Sequence, residues 1–224
     1  MIVAIDGPAA SGKSTTARKV AAEVGFTYID SGAMYRAITL NALRNGIDVN
    51  AMEKVAELAR KTHLDFAFDN DTFFIYMDGE DVTEAIRLPE IAQNISPIAA
   101  NSNVREVLVK RQREFAREHD VIMDGRDIGT VVFPNAELKI YLVASAEERA
   151  KRRMKELQSK GIPADFDEIK KEIIRRDKAD MERAVGPLKK APDAIELDTS
   201  NLTIEEQVQI IVDLIRQLKE KAGK

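Results

Sequence analysis

The chain has no cysteine, two histidines in 224 residues, 5% aromatic residues and no long apolar run. Without cysteine there is neither a disulfide framework nor a thiolate metal site, and the reducing cytoplasm is the expected compartment. His63 and His119 stand outside every motif, so the chemistry is expected not to rest on an imidazole. No segment approaches the roughly 18 apolar residues that span a bilayer, and the start of the chain lacks the basic region, apolar stretch and cleavage site of a secretory signal. A membrane partner is therefore not expected. A basic balance is also missing: the formal net charge is −4, which argues against a protein that coats nucleic acid.

The strongest feature present is Gly7-Pro8-Ala9-Ala10-Ser11-Gly12-Lys13-Ser14, a complete G-x-x-x-x-G-K-[ST] loop directly after the apolar run 2–5. Glycines let backbone N–H groups curl around phosphate oxygens, the lysine reaches the β and γ phosphates, and the final hydroxyl suits Mg²⁺. Ser14 is thus a candidate metal ligand. Thr15 continues into a helix over 15–24, whose N-terminal end favours anions. The expected ligand is a nucleoside triphosphate with Mg²⁺.

Further apolar runs at 27–30, 121–124, 138–143 and 194–197 read as buried strands, separated by helical patterns over 33–44, 51–61, 104–117, 146–159, 167–183 and 204–221. With 2–6 they predict an α/β fold with a five-stranded parallel sheet covered on both faces. Asn50 with Glu53, and Thr203 with Glu206, stand at capping-box spacing. Only the stretch 64–82 breaks the rhythm. It alternates as short β segments joined at Asn70-Asp71 and closed by Asp78-Gly79, it draws on four of the eight phenylalanines, and it predicts a small antiparallel insert. Between Arg149 and Lys190 there are 14 Lys or Arg against 8 Asp or Glu, in two helices hinged at Gly161-Ile162-Pro163.

A phosphate loop alone does not separate switches, motors and kinases. No guanine-reading N-K-x-D follows, and the strand at 121–124 runs into G-R-D-I-G, which disfavours a regulatory GTPase. Three segments offer charge for a second anionic substrate. In 30–36, Ser31 is expected to cap a helix and face a ribose or phosphate, with Tyr35 and Arg36 a turn further on. In 124–127, Asp124 is expected to organise the Mg²⁺ water shell, Arg126 to bind an acceptor phosphate and Asp127 to accept from an exocyclic amine. The basic hairpin supplies Arg149, Arg152, Arg153, Arg175, Arg176, Asp180 and Arg183, from which arginines closing over the phosphates are expected, Arg152 on the donor side.

The words D-G-P-A-A-S-G-K-S, D-S-G-A-M-Y-R, D-G-R-D-I-G-T-V-V-F-P and R-R-D-K-A-D-M-E-R-A-V-G-P-L together resemble the bacterial-type cytidylate kinases, over the full length. The resemblance implies a core of residues 1–31, 104–151 and 177–224, a monophosphate-binding region at 32–103 containing the β insert, and a lid at 152–176. It implies that Ser96, Arg105 and Asp127 read cytosine, that Tyr35, Arg36 and Arg126 hold the acceptor phosphate, and that Ser31, Arg176 and Asp180 reach the sugar. Arg183 is implied near the transferring phosphoryl group, with Lys13, Arg126 and Arg176 sharing its charge. The implied reaction is transfer from ATP to CMP or dCMP, and the lack of a long exposed apolar stripe leads to the expectation of a monomer. UMP or AMP as acceptor, and an ATP-binding regulatory module without catalysis, are the alternatives.

Overall fold

The computed structural model describes residues 1–69, 72–117, 119–159 and 161–223. They form two compact units, one of Met1–Tyr28 with Asp120–Lys224 and one of Ile29–His119.

The first unit is built on a parallel sheet of order β2-β6-β1-β7-β8, with the division between units falling inside β2. Its strands are β1 (Ile2–Asp6), β2 (Thr27–Asp30), β6 (Val121–Gly125), β7 (Leu138–Val143) and β8 (Ile195–Asp198). Its helices are α1 (Lys13–Val24), α6 (Ala146–Ser159), α7 (Phe166–Glu182) and α8 (Ile204–Lys221). β1 is central: Ile5 pairs with Asp124 of β6 and with Ile140 of β7, and Asp6 pairs with Gly125 and Tyr141. Val3, Ala4, Ile5, Ile122 and Met123 are buried, as expected of inner strands covered on both faces. Thr203 and Glu206 form the expected capping box at the start of α8.

Two expectations change here. β8 is an edge strand with Ile195 44% exposed, where the apolar pattern had implied burial, because it pairs with β7 alone. The α6–α7 hairpin packs over 146–182 around a small apolar cluster of Ala150, Ile169 and Ile173 with Met154, Leu157 and Phe166, against which Ala10 of the phosphate loop also packs.

The second unit contains α2 (Ser31–Arg44), α3 (Met52–Lys61), β3 (Leu64–Asp69), β4 (Thr72–Met77), β5 (Glu80–Asp81), α4 (Pro89–Ala100) and α5 (Ser102–Phe115). The three strands make the expected antiparallel insert, with Leu64 opposite Met77 and Met77 opposite Glu80. Asp78 and Gly79 both take left-handed conformations, φ 52° and 86°, as a tight hairpin turn requires. The other turn, at Asn70-Asp71, lies outside the described residues. Phe66 stacks on Phe73 at 5.5 Å and meets Phe115 of α5 edge-on at 5.0 Å.

α5 belongs with this unit, although residues from 104 onward were expected in the core. Arg111 donates to the carbonyls of Thr62 and Arg60 at the end of α3, and Asn103 donates to Glu53, which together fix α5 to α3. Asn50 does not cap α3. It is drawn back onto the Asp48 carboxylate, and Ala51 holds the cap position without a side-chain bond. α4 was not foreseen from the sequence; Pro89 occupies its first turn and Pro97 lies inside it.

Candidate functional site

In the first unit the phosphate loop joins β1 to α1, and its geometry explains its residues. A Cβ on Gly7 would stand 2.4 Å from the Leu142 carbonyl oxygen, so no larger residue fits without moving backbone. Gly12 (φ 91°) and Ala10 (φ 58°) are left-handed, which turns successive N–H groups the same way. Gly12 also occupies the N-cap of α1 with no side-chain cap, leaving the helix start to an anion. Lys13 is 6% exposed and donates from Nζ to the Pro8 carbonyl at 2.9 Å, while the buried Ser11 hydroxyl has no hydrogen-bond partner among the described residues.

The loop is tied down from outside. Arg149 donates to the carbonyls of Ala9 (3.1 Å) and Ala144 (3.0 Å) and pairs with Asp177 of α7 at 2.7 Å. Arg152 donates to the Ser11 carbonyl at 3.2 Å and to Thr199, whose hydroxyl lies 3.2 Å from the same carbonyl. Arg153 turns away to Glu156 of its own helix. Of the three arginines on α6, two therefore meet the phosphate loop and one does not.

Ser14 and Asp124 come together: the Ser14 hydroxyl donates to one Asp124 oxygen at 2.7 Å and the Tyr28 hydroxyl to the other at 2.7 Å. Both are hard oxygen donors of the kind Mg²⁺ takes with retained waters, so the pair fits the expected metal. Beyond β6, Arg126 donates from Nε to Asp180 at 2.8 Å. Arg183 lies 3.4 Å from Asp127 and 3.9 Å from Asp180, and it also donates to the Gly186 carbonyl. Burial pushes the Asp180 carboxyl up, but the charges of Arg126, Arg176 and Arg183 outweigh it and hold the carboxyl below its usual value. Arg176 is half-buried near this network, and Arg175 points to solvent.

In the second unit Asp30, not Ser31, caps α2: its carboxylate accepts from the Ala33 N–H at 2.9 Å, and Ser31 is the first helical residue, buried. Asp30 also pairs with Arg36 at 2.7 Å. Burial raises its carboxyl, and the Arg36 charge, the Ala33 amide and Arg87 bring it below the normal value. The Arg36 Nε is buried with no partner among the described residues. The Arg105 guanidinium lies 5.7 Å over the Tyr35 ring and donates to the Ala99 carbonyl at 3.4 Å. Ser96 stands exposed on α4.

Tyr28, Thr199 and Asp6 were not picked out from sequence. Asp6 carried a signal, a carboxylate ending an otherwise apolar strand. The other two act across separations of 96 and 188 residues, which only the topology reveals.

Comparison with known proteins places this chain in a family. A model of the Cytidylate kinase family matches residues 3–217. The chain belongs to the cytidylate kinase family. It is 50% identical over 215 residues to the cytidylate kinase of Anoxybacillus flavithermus, covering 96% of each chain. It is 48% identical over 219 residues to that of Bacillus cytotoxicus, covering 98% of this chain and 97% of the relative. Among solved structures, a gluconokinase from Sinorhizobium meliloti shares the fold of this cytidylate kinase family member, with a TM-score of 0.51, 12% identity and coverage of 99% and 94%.

Proposed function

We propose that this chain phosphorylates CMP and dCMP from ATP, giving ADP and CDP or dCDP reversibly. The observation that carries the acceptor is the family match, which runs from residue 3 to residue 217 and so takes in the phosphate loop, the 124–127 turn and α7. In the forward step an oxygen of the acceptor 5′-phosphate bonds to the γ-phosphorus while the bond from that phosphorus to the β–γ bridging oxygen breaks, leaving ADP. The acceptor phosphate is already anionic, so no strong base is required; the protein supplies positioning and charge stabilisation.

Residues 7–15 hold the donor phosphates, with Lys13 on the β and γ groups and Arg152 on the donor side. Ser14 and Asp124 would hold Mg²⁺, which when bound offsets phosphate charge. Arg36, Tyr35 and Arg126 hold the acceptor phosphate, and the buried Nε of Arg36, which has no partner among the described residues, favours this role. Ser31, Arg176 and Asp180 reach the sugar, Ser96, Arg105 and Asp127 read the base, and Arg176 and Arg183 stabilise the group in flight. Asp180 pairs with Arg126 and Asp127 with Arg183, so substrate groups compete with internal carboxylates for the same guanidinium groups. The enzyme acts as a cytoplasmic monomer on small molecules, without a nucleic-acid or membrane partner. No helix among the described residues is long and apolar enough to cross a membrane.

The test is ADP formation with Mg·ATP and CMP, dCMP, UMP, AMP, GMP or single-stranded DNA in separate reactions. Turnover with CMP and dCMP well above the others is expected. ATP binding with no stimulation by any monophosphate would overturn the reading.

A further inference from the structure

Asp6 has no part in the mechanism above, yet it is 4% exposed and ends β1 immediately before the phosphate loop. Its two oxygens accept separately from consecutive backbone amides, Oδ1 from Ile128 at 2.8 Å and Oδ2 from Gly129 at 2.7 Å. These are the first two residues of a single π-helical turn, Ile128–Val132, that begins directly after Asp127. The Val131 amide closes this turn back onto the Asp127 carbonyl. The carboxylate therefore anchors the backbone that aims Asp127. A Cβ on Gly129 would meet the Lys139 stem at 3.2 Å and the Asp6 carboxylate at 3.4 Å, so the amide sits close because residue 129 has no side chain.

We propose that Asp6 is a positioning residue for acceptor recognition: by accepting both amides it fixes the turn from which Asp127 reads the base. This rests on the cytosine-reading role of Asp127. An ionised carboxylate accepts on both oxygens, whereas a protonated one turns one oxygen into a donor that faces an N–H, and one anchor is lost. Protonation falls in a useful range. Burial is the largest influence and raises the Asp6 carboxyl to about 7, against the lowering effect of the two amides. The charged and titratable groups that face it are Asp127, which raises it further, Lys13, which lowers it, and Tyr141, whose phenol Asp6 helps push up, with the Lys139 stem against Gly129. Asp6→Asn reproduces the protonated pattern permanently, since its amide NH₂ must also face an N–H.

The experiment measures kcat/KM for CMP and for UMP from pH 5.5 to 8.5 in wild type and Asp6→Asn. Titration of the acceptor phosphate is shared by the two substrates and cancels in the ratio. Wild type is expected to lose preference for CMP by about tenfold as the pH falls through 7, the scale of one charge-assisted hydrogen bond. Asp6→Asn is expected to show the low ratio at every pH. A wild-type ratio and pH profile in Asp6→Asn overturns the proposal, and would leave any pH dependence to Asp127 itself. Absence of a CMP preference in wild type at pH 8.5 would instead overturn the acceptor reading. The nucleotide-free wild-type protein gives a second readout that needs no variant. The amide nitrogen resonances of Ile128 and Gly129 are expected to titrate together with a midpoint near 7, and flat resonances across that range overturn the proposal even where the variant fails to fold.

Discussion

Arg126 and Asp180 meet at 2.8 Å, one following the third strand of the phosphate-loop core and the other 54 residues on in α7. The pair links the turn proposed to hold the acceptor phosphate to the helix that carries Arg176 and ends just before Arg183. Truncation of Arg126 to Ala removes the proposed bidentate phosphate ligand and should lower kcat/KM for CMP by at least about a hundredfold. Arg126→Lys should recover little of it, since an ammonium cannot reproduce the planar fork. Steady-state kinetics on both variants checks this; near-wild-type activity in Arg126→Lys would contradict the bidentate role.

Lys13→Ala should abolish transfer while the protein still folds, because the lysine donates to the Pro8 carbonyl within its own loop and so serves the loop rather than the core. Circular dichroism alongside turnover separates the two effects.

Gly7→Ala places a methyl group 2.4 Å from the Leu142 carbonyl oxygen, a backbone atom of the neighbouring strand that has no room to yield. The variant should lose ATP binding and several degrees in Tm, read by calorimetry with and without Mg·ATP. Wild-type affinity would show that the loop opens more readily than this geometry allows.

Asp127→Ala should relax base discrimination more than it lowers ATP affinity, since a site built to hydrogen-bond an amine rejects analogues through unpaired buried groups. A CMP to UMP ratio unchanged from wild type would remove Asp127 from the base site.

Asp6 also has a consequence for stability. Its carboxyl is raised from 3.8 in the unfolded chain to about 7 in the fold, so the folded state holds a proton that the unfolded state has released. Its contribution to stability is full below pH 3.8 and is lost as the pH rises through 7, by at most about 4 kcal/mol. Relative to Asp6→Asn, which does not titrate, wild type should therefore lose stability between pH 5 and 8 in urea unfolding. A difference constant with pH would contradict the raised value.

How far the sequence reveals this molecule depends on whether a residue acts locally. The phosphate loop is legible because its G-x-x-x-x-G-K-S spacing lies within eight residues, although the contact that demands Gly7 comes from Leu142 on a distant strand, and the capping box at Thr203 and Glu206 because both partners lie within one turn. Where two residues compete for one local role, spacing alone misleads: Asp30 takes the cap expected of Ser31, and the Asx turn at Asp48 withdraws Asn50 from α3. Burial of β8 misled because hydropathy does not reveal which strand falls at an edge, and α4 was hidden by two prolines that a helix tolerates at these positions. Arg149 and Arg152 look alike in sequence to Arg153. Only their reach to the Ala9 and Ser11 carbonyls separates them.

The most direct test of the central claim is the fate of the γ-phosphorus. With [γ-³²P]ATP, Mg²⁺ and CMP, the label should appear in CDP and none above background as inorganic phosphate, and unlabelled CDP with ADP should run the reaction backwards. Label released as inorganic phosphate, or retained in ATP with CMP present, would contradict phosphoryl transfer to CMP.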